Sequence, residues 1–71
     1  MLKKQYLMQI RNNNLLMFAL LQYFDISVST LYRWLDQNNQ QFTQYGSLRL
    51  IASYLEIENV NEMLELEKLP N

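Results

Sequence analysis

The stretch Phe24-Asp25-Ile26-Ser27-Val28-Ser29-Thr30-Leu31-Tyr32-Arg33-Trp34-Leu35 decides the fold. It follows a segment, Leu15 to Phe24, that is apolar on nearly every side, with Gln22 its one polar residue. Such a segment reads as a central, buried helix. Asp25 interrupts the run, and its short side chain tolerates the left-handed backbone of a tight turn. Ser27 is a natural N-cap for a further helix, Val28 to Asp36 or Gln37. Within that helix Leu31, Trp34 and Leu35 fall on one face at i, i+3 and i+4, and Ile26, just before the cap, joins the same apolar cluster. Ser29, Tyr32, Arg33 and Asp36 lie off that face.

One helix, a short turn holding an apolar anchor, and a second capped helix is the order of a helix-turn-helix. Ile26, Leu31, Trp34 and Leu35 are expected to lock against Leu20, Leu21 and Phe24. The outer face of the second helix is then free to meet the major groove of DNA. Val28, Ser29, Tyr32 and Arg33, with Gln37 at the end, are the expected base-reading residues. Arginine can be bidentate to guanine, serine bonds to bases or phosphates, and valine or a tyrosine ring packs on a thymine methyl. The plain alternative for Arg33 is a surface cation paired with Asp36 at i+3. Trp34 shares the spacing of Leu31 and Leu35 and is read as core.

Upstream, Leu2 to Arg11 reads as a first helix, because Leu2, Tyr6, Leu7 and Ile10 recur at helical spacing. Asn12-Asn13-Asn14 ends it, with Asn14 the expected cap of the next helix. Downstream, Asn38 to Tyr45 reads as a polar loop with two aromatics. Gly46 and Ser47 open a fourth helix to Leu55, with Leu48, Ile51, Ala52 and Leu55 inside. Asn59 caps an expected fifth helix from Val60 to about Lys68. The whole is an all-α bundle of about five short helices around a central helix-turn-helix. It forms a single domain over 1–71, with 58–71 an acidic helix and tail.

Composition narrows the function. The chain has 71 residues, no cysteine and no histidine, which removes disulfides, thiolate metal sites and the commonest zinc ligand and general base. No glycine-rich phosphate loop is present, and pairs such as Glu56 with Glu58 or Glu62 with Glu65 arise by default on an acidic helix. No enzyme, metal, cofactor or small-molecule substrate is expected. One glycine and one proline are too few for an all-β fold, and 49% hydrophobic residues argue against disorder. The longest apolar run, Leu15–Leu21, is seven residues, against the ~20 that span a bilayer. The N-terminal residues make a poor signal peptide, so a cytoplasmic location and no membrane partner are expected. The net charge of −1 conceals an uneven distribution. Residues 1–54 carry five cations against two anions, +3, and residues 55–71 carry one cation against five anions, −4. The basic part is left free to meet phosphates. Lys3, Lys4, Arg11, Ser27, Thr30, Gln40, Gln41 and Thr43 are the phosphate candidates.

The segment Ile26-Ser27-Val28-Ser29-Thr30-Leu31-Tyr32-Arg33-Trp34 resembles the turn and recognition helix of the lambda-repressor-like (Cro-like, XRE-type) helix-turn-helix family. Ser47-Leu48-Arg49-Leu50-Ile51-Ala52-Ser53-Tyr54-Leu55-Glu56-Ile57 is similar to that family's fourth helix. The loop between them has about the length the family uses to touch the DNA backbone. The resemblance covers most of residues 2–66 and implies five helices and operator binding, with a bacterial, phage or mobile-element source. Three positions depart from it. Leu21 stands where the family usually has a small residue, Asp25 where glycine opens the turn, and Met17 where glutamine contacts phosphate. The Thr30–Trp34 run is also similar to MerR-type and other winged heads, but no glycine-rich hairpin is present for a wing.

A domain of this length buries only ~60% of its unfolded surface. It also has apolar surface to spare, on its second helix and at Val60, Met63, Leu64, Leu66 and Leu69. A homodimer would hide it and would suit two half-sites about one helical turn apart. Val60, Met63, Leu64 and Leu66 are the expected dimer face. The functional expectation is a dimeric DNA-binding regulator, a small repressor or Cro-type protein. The alternative is a protein-interaction module, an antirepressor or accessory factor, that keeps the fold with little or no DNA contact. A purely structural self-associating bundle stands third.

Overall fold

The three asparagines after the first helix set where the next one begins. In the computed structural model, which describes residues 1–65, Asn13 adopts an extended backbone and its Oδ1 accepts the Leu16 amide at 3.0 Å. The cap is therefore Asn13, one residue before the expected Asn14, since Asn13 is the residue whose side chain reaches the third amide of the helix. The helices are α1 (Lys4–Arg11), α2 (Asn14–Phe24), α3 (Val28–Gln37) and α4 (Tyr45–Leu55), with 3-10 turns at Gln40–Thr43 and Val60–Met63. The fold is all-α.

α2 ends on Asp25, whose φ of 54° is left-handed, so aspartate takes the conformation that glycine usually supplies. Ser27 is extended and its Oγ accepts the Thr30 amide at 3.2 Å, starting α3 where expected. Between α2 and α3 the chain bends by 101°, within the ~90–120° of helix-turn-helix pairs. The expected lock is in place. Leu20, Leu31 and Leu35 are buried, and Ile26, Trp34, Leu21 and Phe24 pack against them.

The polar loop is pinned from inside. Phe42, in the first 3-10 turn, is fully buried and stands edge-on to Phe24 and Trp34, with centroids 6.1 and 6.2 Å apart. Ser47 does not open α4 with its side chain. It is buried, and its Oγ donates to the carbonyls of Phe42 at 2.8 Å and Gln41 at 3.1 Å. Gly46 lies under the exposed Tyr23 side chain of α2: a Cβ there would stand 2.3 Å from the tyrosine oxygen, so glycine leaves room for the end of that side chain to rest over the start of α4.

Two expectations at the ends of the chain are corrected. Leu2 is not helical. It is fully buried, its amide donates to Asn38 Oδ1 at 3.2 Å, and Asn38 Nδ2 donates to its carbonyl at 2.8 Å. Leu2 also pairs antiparallel with Leu64, flanked by Lys3 N to Met63 O at 2.8 Å and Glu65 N to Met1 O at 2.7 Å. The fifth helix is likewise only a 3-10 turn as far as it is described, because the Leu64 amide bonds Asn61 O and the chain then extends. Its expected continuation to Lys68 lies outside the described residues. No single helix among the described residues is long and apolar enough to cross a membrane.

Candidate nucleic-acid interface

The turn and the two caps around it aim one face of α3 outward. At 1.5 Å per residue its ten residues run about 15 Å, a length and width the major groove admits. Val28 is 53% exposed and Tyr32 43%, and Ser29, Arg33 and Gln37 are exposed with them. Ser29, Arg33 and Gln37 lie on the side opposite Leu31 and Leu35, Tyr32 stands at the edge of that side, and Val28, three residues before Leu31, lies along the buried line but is exposed at the start of the helix. Ser27 and Thr30 are drawn into the cap. Their hydroxyls lie 2.9 Å apart, and Ser27 Oγ already accepts the Thr30 amide.

The charges differ from the simplest expectation. Asp36 does not pair with Arg33. Its carboxylate holds Arg11 of α1, whose guanidinium also lies 5.7 Å from the centre of the Tyr32 ring. Arg11, expected as a phosphate contact, instead braces α1 against α3. Arg33 is exposed and has no ion-pair partner among the described residues. Lys3 and Lys4 are exposed, and Lys4 shares a shallow groove with Leu7, Met8, Arg11, Leu35 and Asp36.

At the other end of α3, Gln37, Asn38, Asn39, Gln40 and Gln41 line one open depression beside Met1. Gln40 and Gln41 are exposed there, whereas the Thr43 hydroxyl donates to the Gln40 carbonyl at 2.7 Å. Met17, at the position where the resembled family places a phosphate-binding glutamine, is buried, so α2 offers no polar side chain at that point.

The expected dimer face is corrected in part. Met63 is fully buried in the core, where it packs with the residues around the Leu2–Leu64 pairing, and cannot present a surface. Val60 and Leu64 are half-buried against the same core, and Leu66 lies outside the described residues. The exposed apolar side chains are elsewhere, among them Leu15 and Phe18 on α2. The even apolarity of α2 signalled a surplus without showing which side would face out. A second aromatic–cation pair, Tyr45 with the Arg49 guanidinium 5.7 Å from its ring centre, went unforeseen at the start of α4; its i, i+4 spacing was the available signal. No family model, curated protein or solved structure matches the chain.

Proposed function

We propose that this domain is a sequence-specific DNA-binding transcriptional regulator of the small-repressor class, acting in the cytoplasm as a homodimer on double-stranded DNA. The observation that carries the reading is Arg33. It stands in the middle of the outward face of a capped helix set at 101° to its neighbour, and its nearest carboxylate in sequence is engaged by Arg11. An arginine so displayed is available for a bidentate contact to guanine. Val28 and Tyr32 supply apolar contact to thymine methyls, and Ser29 and Gln37 supply hydrogen bonds. Lys3 and Lys4, with Gln40 and Gln41, are the phosphate contacts. Repression follows from occupancy: two copies of α3 fill successive major grooves and exclude polymerase.

Fluorescence anisotropy against the DNA flanking its own gene, over a range of salt, tests the reading. Affinity is expected to fall as salt rises, because phosphate contacts release counterions. Arg33→Ala is expected to lower affinity for the specific site by about 1–3 kcal/mol. Absence of salt-sensitive binding to any duplex up to ~100 µM, the weak end of non-specific association, refutes it and moves the domain to the protein-interaction class.

A further inference from the structure

We propose that Arg11 is a positioning residue for recognition: from α1 it fixes the rotamer of Tyr32 on α3, so that the ring is set for a base before DNA arrives. The proposal rests on the DNA-binding reading above and adds to it a residue that acts through Tyr32.

The placement of Arg11 follows from the end of α1. Ile10, one residue before it, is fully buried, and the Asn12 amide, one residue after, donates to the carbonyls of Ile10 and Met8. The backbone that carries Arg11 is therefore held on both sides. Its side chain borders the groove it shares with Leu7 and Leu35 and ends over α3. There it meets Tyr32 and Asp36, which are spaced i, i+4 and stand one turn apart on the same side of the helix. The Asp36 carboxylate accepts from the guanidinium, whose carbon lies 5.7 Å from the centre of the Tyr32 ring.

The two contacts divide the work. An exposed ion pair stabilises little by itself. It does orient the guanidinium, which is planar, always charged and suited to lying against an aromatic ring. Held by Asp36, that cation favours the Tyr32 rotamer whose ring it meets over the alternatives by about two- to fivefold, the factor an exposed cation–π contact supplies. Tyrosine has only two side-chain torsions, so fixing the first settles most of where the ring lies. Tyr32 stays half-exposed under this arrangement, which leaves the rest of its surface open to a base.

Charge separates this role from a phosphate contact. Arg11 and Asp36 cancel, so the pair adds no net charge beside α3. Removing a phosphate contact weakens binding to every sequence alike and lowers the salt slope by about one. A positioning residue instead sets the fraction of molecules whose Tyr32 is ready, and the apparent affinity for the specific site scales with that fraction. Its loss is felt at the base pair Tyr32 reads.

The test uses the full chain and the double variant Arg11→Gln with Asp36→Asn, which removes the pair and leaves the net charge unchanged. Three-bond NMR couplings between the Tyr32 backbone and its ring carbon report the rotamer populations without DNA. The wild type is expected to show one dominant rotamer, and the double variant a dominant-to-minor ratio lower by about two- to fivefold. Fluorescence anisotropy then compares a specific duplex, selected from a random pool, with a scrambled one. The double variant is expected to lose discrimination by up to the same factor at the Tyr32 position, with its affinity for the scrambled duplex and its salt slope unchanged. Should the double variant not fold, Arg11→Lys, which keeps the charge without the planar guanidinium, is read in the same way. A wild-type Tyr32 that averages over its rotamers, or a variant with wild-type populations and discrimination, overturns the proposal. So does a uniform loss of affinity with a shallower salt slope, which returns Arg11 to the phosphate contacts. A Tyr32 rotamer that depends on Arg11 in a protein without DNA affinity keeps the positioning and removes the DNA reading; specific binding with a freely averaging Tyr32 does the reverse.

Discussion

Replacing Asn38 by alanine tests how the last turn of α3 is held. The Asn38 side chain exchanges two hydrogen bonds with the backbone of Leu2, at 3.2 and 2.8 Å, and the residue itself sits at φ 51° as the cap of α3. Losing both bonds costs about 1–3 kcal/mol at the usual net value per bond. Alanine in the left-handed region adds about 1 kcal/mol, a cost asparagine largely avoids. The expected loss is thus about 2–4 kcal/mol, against a total stability of about 4–11 kcal/mol for a chain of 71 residues. Urea unfolding followed by circular dichroism measures it, and thermal unfolding should show a fall of roughly 8 °C or more. Asn38→Gly separates the two causes. It loses the same bonds without the backbone cost, so it should stand about 1 kcal/mol above Asn38→Ala. If Asn38→Ala stays within ~0.5 kcal/mol of the wild type, or glycine proves no better than alanine, this account of the α3 terminus is wrong.

Ser27→Ala removes the Oγ that accepts the Thr30 amide and should cost about 1 kcal/mol by the same unfolding assay, since the first amides of α3 then lack that acceptor. Glu56 ends α4 at φ 58° without the local hydrogen bonding that makes asparagine or aspartate tolerant there, so Glu56→Gly should gain about 0.5–1 kcal/mol, and more than Asp25→Gly gains. Asp36→Asn breaks an ion pair whose side chains are 69% and 45% exposed, so its stability cost should stay under ~1 kcal/mol. It also removes a negative charge from α3 and releases Arg11, so DNA affinity measured by anisotropy should rise, with a salt slope steeper by about one. A fall in affinity would give Asp36 a direct part in recognition.

The parts of the fold that were legible in the residues are those fixed by short-range chemistry. Asp25, Ser27 and the Leu31–Trp34–Leu35 spacing specify a turn, a cap and a buried face within one dozen residues, and all three stand as expected. What was not legible depends on residues far apart. Nothing near Phe42 marks it as core; Phe24 and Trp34 bury it from other elements. Met63 and Leu64 have the spacing of a helix edge, yet pairing with Leu2 turns one inward and extends the other. The candidate site divides the same way. The outward set Ser29, Tyr32, Arg33 and Gln37 follows from helical periodicity, whereas Val28 is exposed only because it begins α3, and the partner of Asp36 was set by how α1 crosses α3. Asn14 was the expected cap of α2, and only the observed extended backbone of Asn13 moves the cap one residue earlier.

The pairing of residues 1–3 with 63–65 bears on the order in which the molecule assembles and comes apart. Its two sides are separated by almost the whole described sequence, so closing it carries a large loop entropy and becomes favourable only once the helices have condensed. Hydrogen exchange of its amides, compared with those of α2, reads whether it opens ahead of the helices. Because Asn38 clasps Leu2, that opening reaches the final turn of α3, where Gln37 lies. Opening at this edge of the domain therefore removes the two hydrogen bonds that hold the cap of the candidate reading helix.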